Sequence, residues 1–229
     1  MKITDKKGIL FDLDGVLADT ARYHYLAWKR LAGELGMDFS EEDNENLKGV
    51  GRKESLDIIF ELNRQKRAVP CFSDEEKQRL AEKKNAYYQE FITEITPGDV
   101  LPGIPEFLRD AREKGFLLAV ASASRNAGNV LNRLELSGWF DYVADAREIK
   151  RVKPDPEVFL KCAEALGFMP SECIGIEDSQ AGIEAIYRAG MLSVGIHVHV
   201  VSRKPDISFE STGELKLTRI LEEMEEERG

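Results

Sequence analysis

The chain has 229 residues, 42% of them hydrophobic, which is enough for a full core with room for a modest insertion. Its formal net charge is -10, from 42 acidic against 32 basic residues, which argues against nucleic acid or an anionic membrane as a partner. A phosphorylated small molecule stays open, because a few basic residues can be focused in one cleft.

The N-terminal residues are partly basic but lack the apolar stretch of a signal peptide. Residues 8–11, Gly-Ile-Leu-Phe, read as a buried strand. From Asp19 to Ile95 there is no strand signal, only helical patterning. Trp28, Leu31 and Leu35 share one helix face, and Leu56, Ile59 and Phe60 share another. Ser73 with Glu76 makes a capping box. The Thr96-Pro97-Gly98 segment reads as a hinge. Strand and helix then alternate. Residues 116–121 form a second apolar strand, too short to span a bilayer, and 142–144 a weaker third. Residues 173–176 make a fourth, and 192–196 a fifth. Asp155-Pro156 places a cap residue before a proline at the first helical position. Ser179 caps a helix running to Ala189, and Gly190 stops it. In His197-Val198-His199-Val200-Val201 the imidazoles alternate with valines, as in an edge strand or loop, and no third metal ligand accompanies them. The acidic run 222–227 reads as a solvated helix end.

Continuous apolar strands alternating with helices imply a parallel sheet covered on both faces. The expected fold is therefore a Rossmann-like three-layer α/β core with an inserted α-helical cap. The core takes residues 1–18 and 96–229, and the cap takes 19–95. Cys71, Cys162 and Cys173 are odd in number and far apart, which fits neither a disulfide framework nor a zinc site. A reducing, cytoplasmic setting is expected.

Four features with chemical potential fall at strand ends. Asp12-Leu13-Asp14-Gly15 follows the first strand, and open parallel sheets bind ligands at that edge. Acidic residues also form turns there, so the pair alone decides nothing. Ser122-Ala123-Ser124 leads into a helix, where a hydroxyl beside free N–H groups suits phosphate or simply caps. Lys153 precedes Pro154-Asp155-Pro156, which stiffens the loop presenting its ammonium, although a solvated lysine is the plainer reading. Glu177 and Asp178 are adjacent carboxylates that repel unless a cation sits between them, and all-oxygen ligation favours magnesium; a helix cap with an acidic neighbour is the alternative. Ordinary explanations at all four positions together are improbable.

The order Asp pair, Ser, Lys, Glu-Asp resembles the haloacid-dehalogenase superfamily of phosphotransferases over nearly the whole chain. The segments Phe-Asp-Leu-Asp-Gly-Val (11–16), Ala-Ser-Ala-Ser (121–124) and Gly-Ile-Glu-Asp-Ser-Gln-Ala-Gly-Ile (175–183) carry it. Asp-Thr-Ala-x-Tyr-His (19–24) and Leu-Lys-Gly-Val-x-Arg (47–52) direct it toward the mutases of that superfamily that act on β-glucose phosphates. The resemblance implies that Asp12 is a covalent nucleophile and Asp14 the general acid and base. It implies Mg2+ on Asp12, Glu177, Asp178 and the backbone carbonyl of Asp14. Ser122, the Ala123 N–H and Lys153 would bind the transferring phosphoryl group. A second phosphate would lie on Gly49, Val50 and Arg52 with Ser124, Arg125 and Asn126. Thr20, His24, Lys48 and Lys84 complete the implied substrate set. The mutase pattern has lysine where this chain has Arg125, and the two are not geometrically equivalent.

The implied reaction interconverts β-glucose 1-phosphate and glucose 6-phosphate through β-glucose 1,6-bisphosphate, in a monomer whose partner is a small sugar phosphate. A magnesium-dependent sugar-phosphate phosphatase is the nearest rival. A dehalogenase would not need Asp14 or the Glu177-Asp178 pair. A non-catalytic phosphosugar-binding protein would keep costly carboxylates in a cleft without use.

Overall fold

A computed structural model describes residues 7–47, 50–66, 68–198 and 203–226. Lys48, Gly49 and His199 therefore lie outside the described residues. The chain divides into two compact units, Met1–Asp19 with Thr96–Gly229, and Thr20–Ile95. Strand β1 (Gly8–Phe11) opens the first unit. Helices α1 (Ala21–Glu34), α2 (Glu41–Glu45), α3 (Arg52–Arg64) and α4 (Asp74–Phe91) make up the second. The chain then returns as α5 (Ile104–Glu113), β2 (Leu117–Val120), α6 (Ala127–Arg133), β3 (Tyr142–Val143), α7 (Glu157–Leu166), β4 (Cys173–Glu177), α8 (Gln180–Ala189), β5 (Leu192–Ile196), β6 (Ile207–Phe209) and α9 (Leu217–Glu226).

The six strands pair in parallel in the order β3-β2-β1-β4-β5-β6. Every residue of β1 and β4 is buried, as continuous apolar strands require. Side chains alternate between the two faces. Leu10 packs with Phe159, Cys162 and Ile183 of α7 and α8, whereas the Phe11 ring meets Phe107 of α5 and Phe140 edge-on, each at 5.9 Å. Strand order runs outward from β1 to β3 and then returns past β1 to β4. The reversal creates a switch point at the C-terminal ends of β1 and β4, where such sheets bind ligands.

In the helical unit α1 packs along α4. Trp28 and Leu31 are buried as their spacing predicts, as are Leu56, Ile59 and Phe60 of α3, while Leu35 ends α1 half-buried. The Ser73 capping box forms: Ser73 Oγ accepts the Glu76 N–H and Glu76 returns the bond to the Ser73 N–H. Buried Asn63 is satisfied by both backbone groups of Asp38 at 2.9 Å.

Several local expectations shift. The third strand stops at Val143. Pro156 takes the cap position of α7 instead of the first helical one, because its carbonyl already accepts from Leu160 and the Asp155 carboxylate takes the Glu157 N–H. His197 has a left-handed φ of 51° and follows the end of β5; the edge strand is β6, which the sequence reading missed. Within the acidic C-terminal run, Met224 is buried, so that run has a core side as well as a wet one. The three cysteines are free. No helix among the described residues is long and apolar enough to cross a membrane.

Candidate active site

The site grows from the ends of β1 and β4. Asp12 continues the β1 ladder, its N–H donating to the Ile176 carbonyl at 3.0 Å, so its position is fixed by the sheet. Beyond it the chain doubles back tightly: the Gly15 N–H reaches the Ala18 carbonyl at 2.9 Å, with Gly15 at φ 80°. A Cβ on Gly15 would stand 2.0 Å from an Asp178 carboxylate oxygen, so glycine here permits both the turn and the approach of Asp178. A second close approach occurs at Gly182, where a Cβ would fall 1.9 Å from the Glu177 carboxyl carbon.

Carboxylate oxygens of Asp12, Glu177 and Asp178 all lie within 4.8 Å of one another. Lys153 Nζ bridges two of them, donating to Asp12 Oδ1 at 2.5 Å and to Glu177 Oε2 at 2.6 Å. Glu177 is 1% exposed, and its other oxygen accepts from the Ser179 hydroxyl at 2.8 Å and from the Ser179 and Asp178 N–H groups. Three carboxylates around one ammonium leave a formal charge of two negatives. Burial first, and then Glu177, push the Asp12 carboxyl up to about 7 against the pull of Lys153. Burial acts to lower Lys153, but Asp12 and Glu177 outweigh it and hold the ammonium above the usual lysine range. The lysine is thus charged and shared, and its pull on Asp12 is outweighed by burial and by the Glu177 charge.

A hard divalent cation fits this remaining charge and its all-oxygen donors. Asp12, Asp178 and Glu177 are the side chains that could hold it. Asp14 lies close enough for its charge to raise Asp12.

The loop that carries Lys153 is clamped at its base. Glu157 accepts the Lys150 and Arg151 N–H groups at 3.1 and 3.0 Å, and Arg151 Nε at 3.2 Å. Arg151 also reaches Asp155 at 3.3 Å. Sequence reasoning missed Glu157 as part of the site. The only signal was a carboxylate at the start of a helix beside prolines.

Beside Asp12, the Ser122–Asn126 turn follows β2. The Ser124 N–H donates to Ser122 Oγ at 3.2 Å, and the Asn126 N–H to Ser124 Oγ at 3.3 Å. Ser122 and Asn126 are buried, Ala123 and Ser124 half-buried, and Arg125 exposed. Arg125 lines a cavity of about 450 Å³ between this turn and the 143–147 loop. That cavity contains none of the three carboxylates.

In the helical unit, Thr20 is buried at the start of α1. Arg52 is the first residue of α3, after Val50 and the extended cap Gly51. Lys84 is buried on α4 with Nζ 2.8 Å from His24 Nδ1 on α1. Burial first, then the charges of Lys84 and Arg52, hold His24 well below the ordinary imidazole pKa.

A family model for haloacid dehalogenase-like hydrolases matches residues 6–190. The chain belongs to the haloacid dehalogenase-like hydrolase family. Among its members, a Bacillus subtilis protein named β-phosphoglucomutase is 40% identical over 222 residues, covering 97% of each chain. A Thermotoga maritima phosphorylated carbohydrates phosphatase is 32% identical, covering 84% of this chain and 86% of that one. The crystal structure of a Clostridium difficile β-phosphoglucomutase superposes with a TM-score of 0.88 at 47% identity, covering 97% of this chain and 98% of the other. The family implies a divalent metal, and the Asp12, Glu177 and Asp178 carboxylates supply a donor set that fits one.

Proposed function

We propose that this chain is a β-phosphoglucomutase, a phosphotransferase that interconverts β-glucose 1-phosphate and glucose 6-phosphate through β-glucose 1,6-bisphosphate. The observation that carries the reading is near-complete correspondence to proteins of that name, at 40% and 47% identity over 97% of this chain. The cluster of carboxylates around Lys153 at the switch point supports it chemically.

An Asp12 carboxylate oxygen attacks phosphorus, and the bond from phosphorus to the sugar oxygen breaks. Asp14 protonates that leaving oxygen and later removes the proton from the sugar hydroxyl that attacks the aspartyl phosphate. Asp12 must be ionised to attack, and Lys153 favours that form. Ser122, the Ala123 N–H and Lys153 bind the transferring phosphoryl group, where charge stabilisation is the chief need. Mg2+, held by Asp12, Glu177, Asp178 and the Asp14 carbonyl, supplies further charge stabilisation when bound. For the second phosphate we assign Ser124, Arg125 and Asn126 in the α/β unit, and Gly49, Val50 and Arg52 in the helical unit. An arginine can grip it bidentately. Thr20, His24, Lys48 and Lys84 complete the substrate-binding set. The free cysteines support a reducing, cytoplasmic setting, and we propose a monomer.

A phosphatase is the second reading, favoured by the Thermotoga relative. In it water attacks the aspartyl phosphate instead of a sugar hydroxyl. Incubation with Mg2+, β-glucose 1-phosphate and a trace of the bisphosphate separates the two. Accumulating glucose 6-phosphate supports the mutase. Dominant release of free phosphate overturns it in favour of the phosphatase.

A further inference from the structure

The helical unit contains a second buried lysine, and its surroundings define the chemistry of His24. His24 and Trp28 are four residues apart on α1, and Lys84 and Tyr88 are four apart on α4, so each helix presents a pair of side chains one turn apart. The two helices pack together and the pairs interdigitate. Lys84 Nζ lies 4.7 Å from the Trp28 ring centre, 5.0 Å from that of Tyr88, and 2.8 Å from His24 Nδ1. The Tyr88 ring also lies against the imidazole, with centroids 4.1 Å apart. Trp28, Lys84 and Tyr88 are each at most 3% exposed.

An ammonium has three donors and no acceptor, so His24 Nδ1 must accept. A neutral imidazole that accepts through Nδ1 carries its proton on Nε2. An imidazolium has no acceptor left; forming it would break the bond and set two cations together. Two aromatic faces near the ammonium offset part of its desolvation and limit where it can sit.

We propose that Trp28 and Tyr88 are positioning residues that hold Lys84 against His24, and that this contact fixes His24 as the neutral Nε2–H tautomer, a hydrogen-bond donor and not an acid or base. The charged and titratable groups that bear on the ring include Lys84 and Tyr88 from α4 and Arg52 from α3. The inference deepens the mutase reading, since it specifies what His24 offers a substrate. Its test reads the ring itself, so it stands or fails separately from turnover.

The chain has three histidines, which makes the experiment direct. Full-length protein labelled with nitrogen-15 gives three imidazole patterns in a long-range proton–nitrogen spectrum, and His24→Gln identifies the one that matters. The expected pattern has a protonated Nε2 and a bare Nδ1, unchanged as pH falls through 6.5, the ordinary imidazole value. Lys84→Met should release the lock, mixing the tautomers and moving the ring's titration up toward 6.5. Trp28→Leu should shift it part-way in the same direction, and Tyr88→Phe, which keeps the ring, should leave it in place. A His24 ring that is protonated on Nδ1 in the wild type, or charged near neutral pH, overturns the proposal. So does an unchanged spectrum in folded Lys84→Met. If the ring is as expected but no glucose 6-phosphate forms, the mutase reading fails and the tautomer assignment remains.

Discussion

Each unit of this protein buries a lysine, and the two are held by opposite means. Lys153 sits on a loop between two carboxylates, with the Phe159 ring centre 5.0 Å from its ammonium. Lys84 sits within a helix, against a neutral imidazole and two aromatic rings. Ionised partners give Lys153 a role in charge balance: it is the counterion of a carboxylate cluster whose oxygens could also hold a divalent cation. The surroundings of Lys84 instead turn its charge toward the His24 imidazole and so dictate a tautomer. A buried ammonium can thus serve as a neutraliser or as an orienting donor, and its neighbours decide which.

The comparison is tested most severely at the carboxylate side. Asp12→Asn removes both the proposed nucleophile and one of the two anchors of Lys153. Turnover should fall by about 10⁴-fold or more, on the scale seen when a covalent nucleophile is removed. Intact-mass analysis after exposure to a small acyl phosphate should show one added phosphoryl group on the wild type and none on the variant. Phosphorylation of the variant at the wild-type rate would remove Asp12 from its role.

Gly182→Ala is expected to act less strongly and more selectively. The new Cβ would overlap the Glu177 carboxyl group, which must swing away from Ser179 and Lys153. Such disturbance around a metal typically costs about 10–100-fold in affinity. Calorimetric titration with Mg2+ should register it, while the His24 ring spectrum in the other unit stays as in the wild type. Unchanged Mg2+ affinity would separate Glu177 from the metal.

His24 offers a smaller, pH-controlled effect. Its folded pKa is depressed, so the unfolded chain binds the extra proton first as pH falls. The stability it contributes is complete above 6.5 and is lost below that, toward the depressed folded value, by up to about 1.4 kcal/mol per pH unit. Denaturant melts at a series of pH values should show the slope, and His24→Gln should flatten it. Equal slopes in both proteins would mean that other groups govern acid unfolding.

The two lysines were unequally legible in the sequence. The strand ends could be read in order because β1, β2 and β4 are continuous apolar runs, and a parallel sheet brings their C-terminal ends to one edge. That brought Asp12, Ser122, Lys153 and Glu177 under suspicion together. What spacing could not show is that Lys153 touches both Asp12 and Glu177, a contact that spans 141 residues to Asp12. His24 and Lys84, 60 residues apart, were named through family likeness, whereas their aromatic surroundings follow from how α1 packs on α4. Strand β6 escaped because Ile-Ser-Phe is three residues long, while the longer His-Val alternation before it drew the edge-strand reading. The left-handed turn at His197 ends β5 ahead of that alternation.

The smallest expected effect concerns how a loop lysine is kept in place. Lys84 inherits its position from a helix, but Lys153 depends on the Glu157 clamp. In Glu157→Gln one carboxylate oxygen becomes an NH₂ group facing a backbone N–H donor, and the pair with Arg151 weakens. Misplacement well under the ~1 Å that can cost 10²-fold should lower kcat only about 5-fold, with KM little changed. The carboxylate of Glu157 is held below its ordinary pKa, first by the Lys150 N–H, so the clamp stays ionised at 4.5, the ordinary glutamate value, and loosens only as pH falls through the lower folded value. The decisive measurement is a double-mutant cycle with Lys153→Met. If the clamp acts through the lysine, Glu157→Gln should cost nothing further once Lys153 is gone. An undiminished cost in that background would show that Glu157 serves the site by another route, and that a loop-borne lysine between two carboxylates needs no more external support than the helix-borne one.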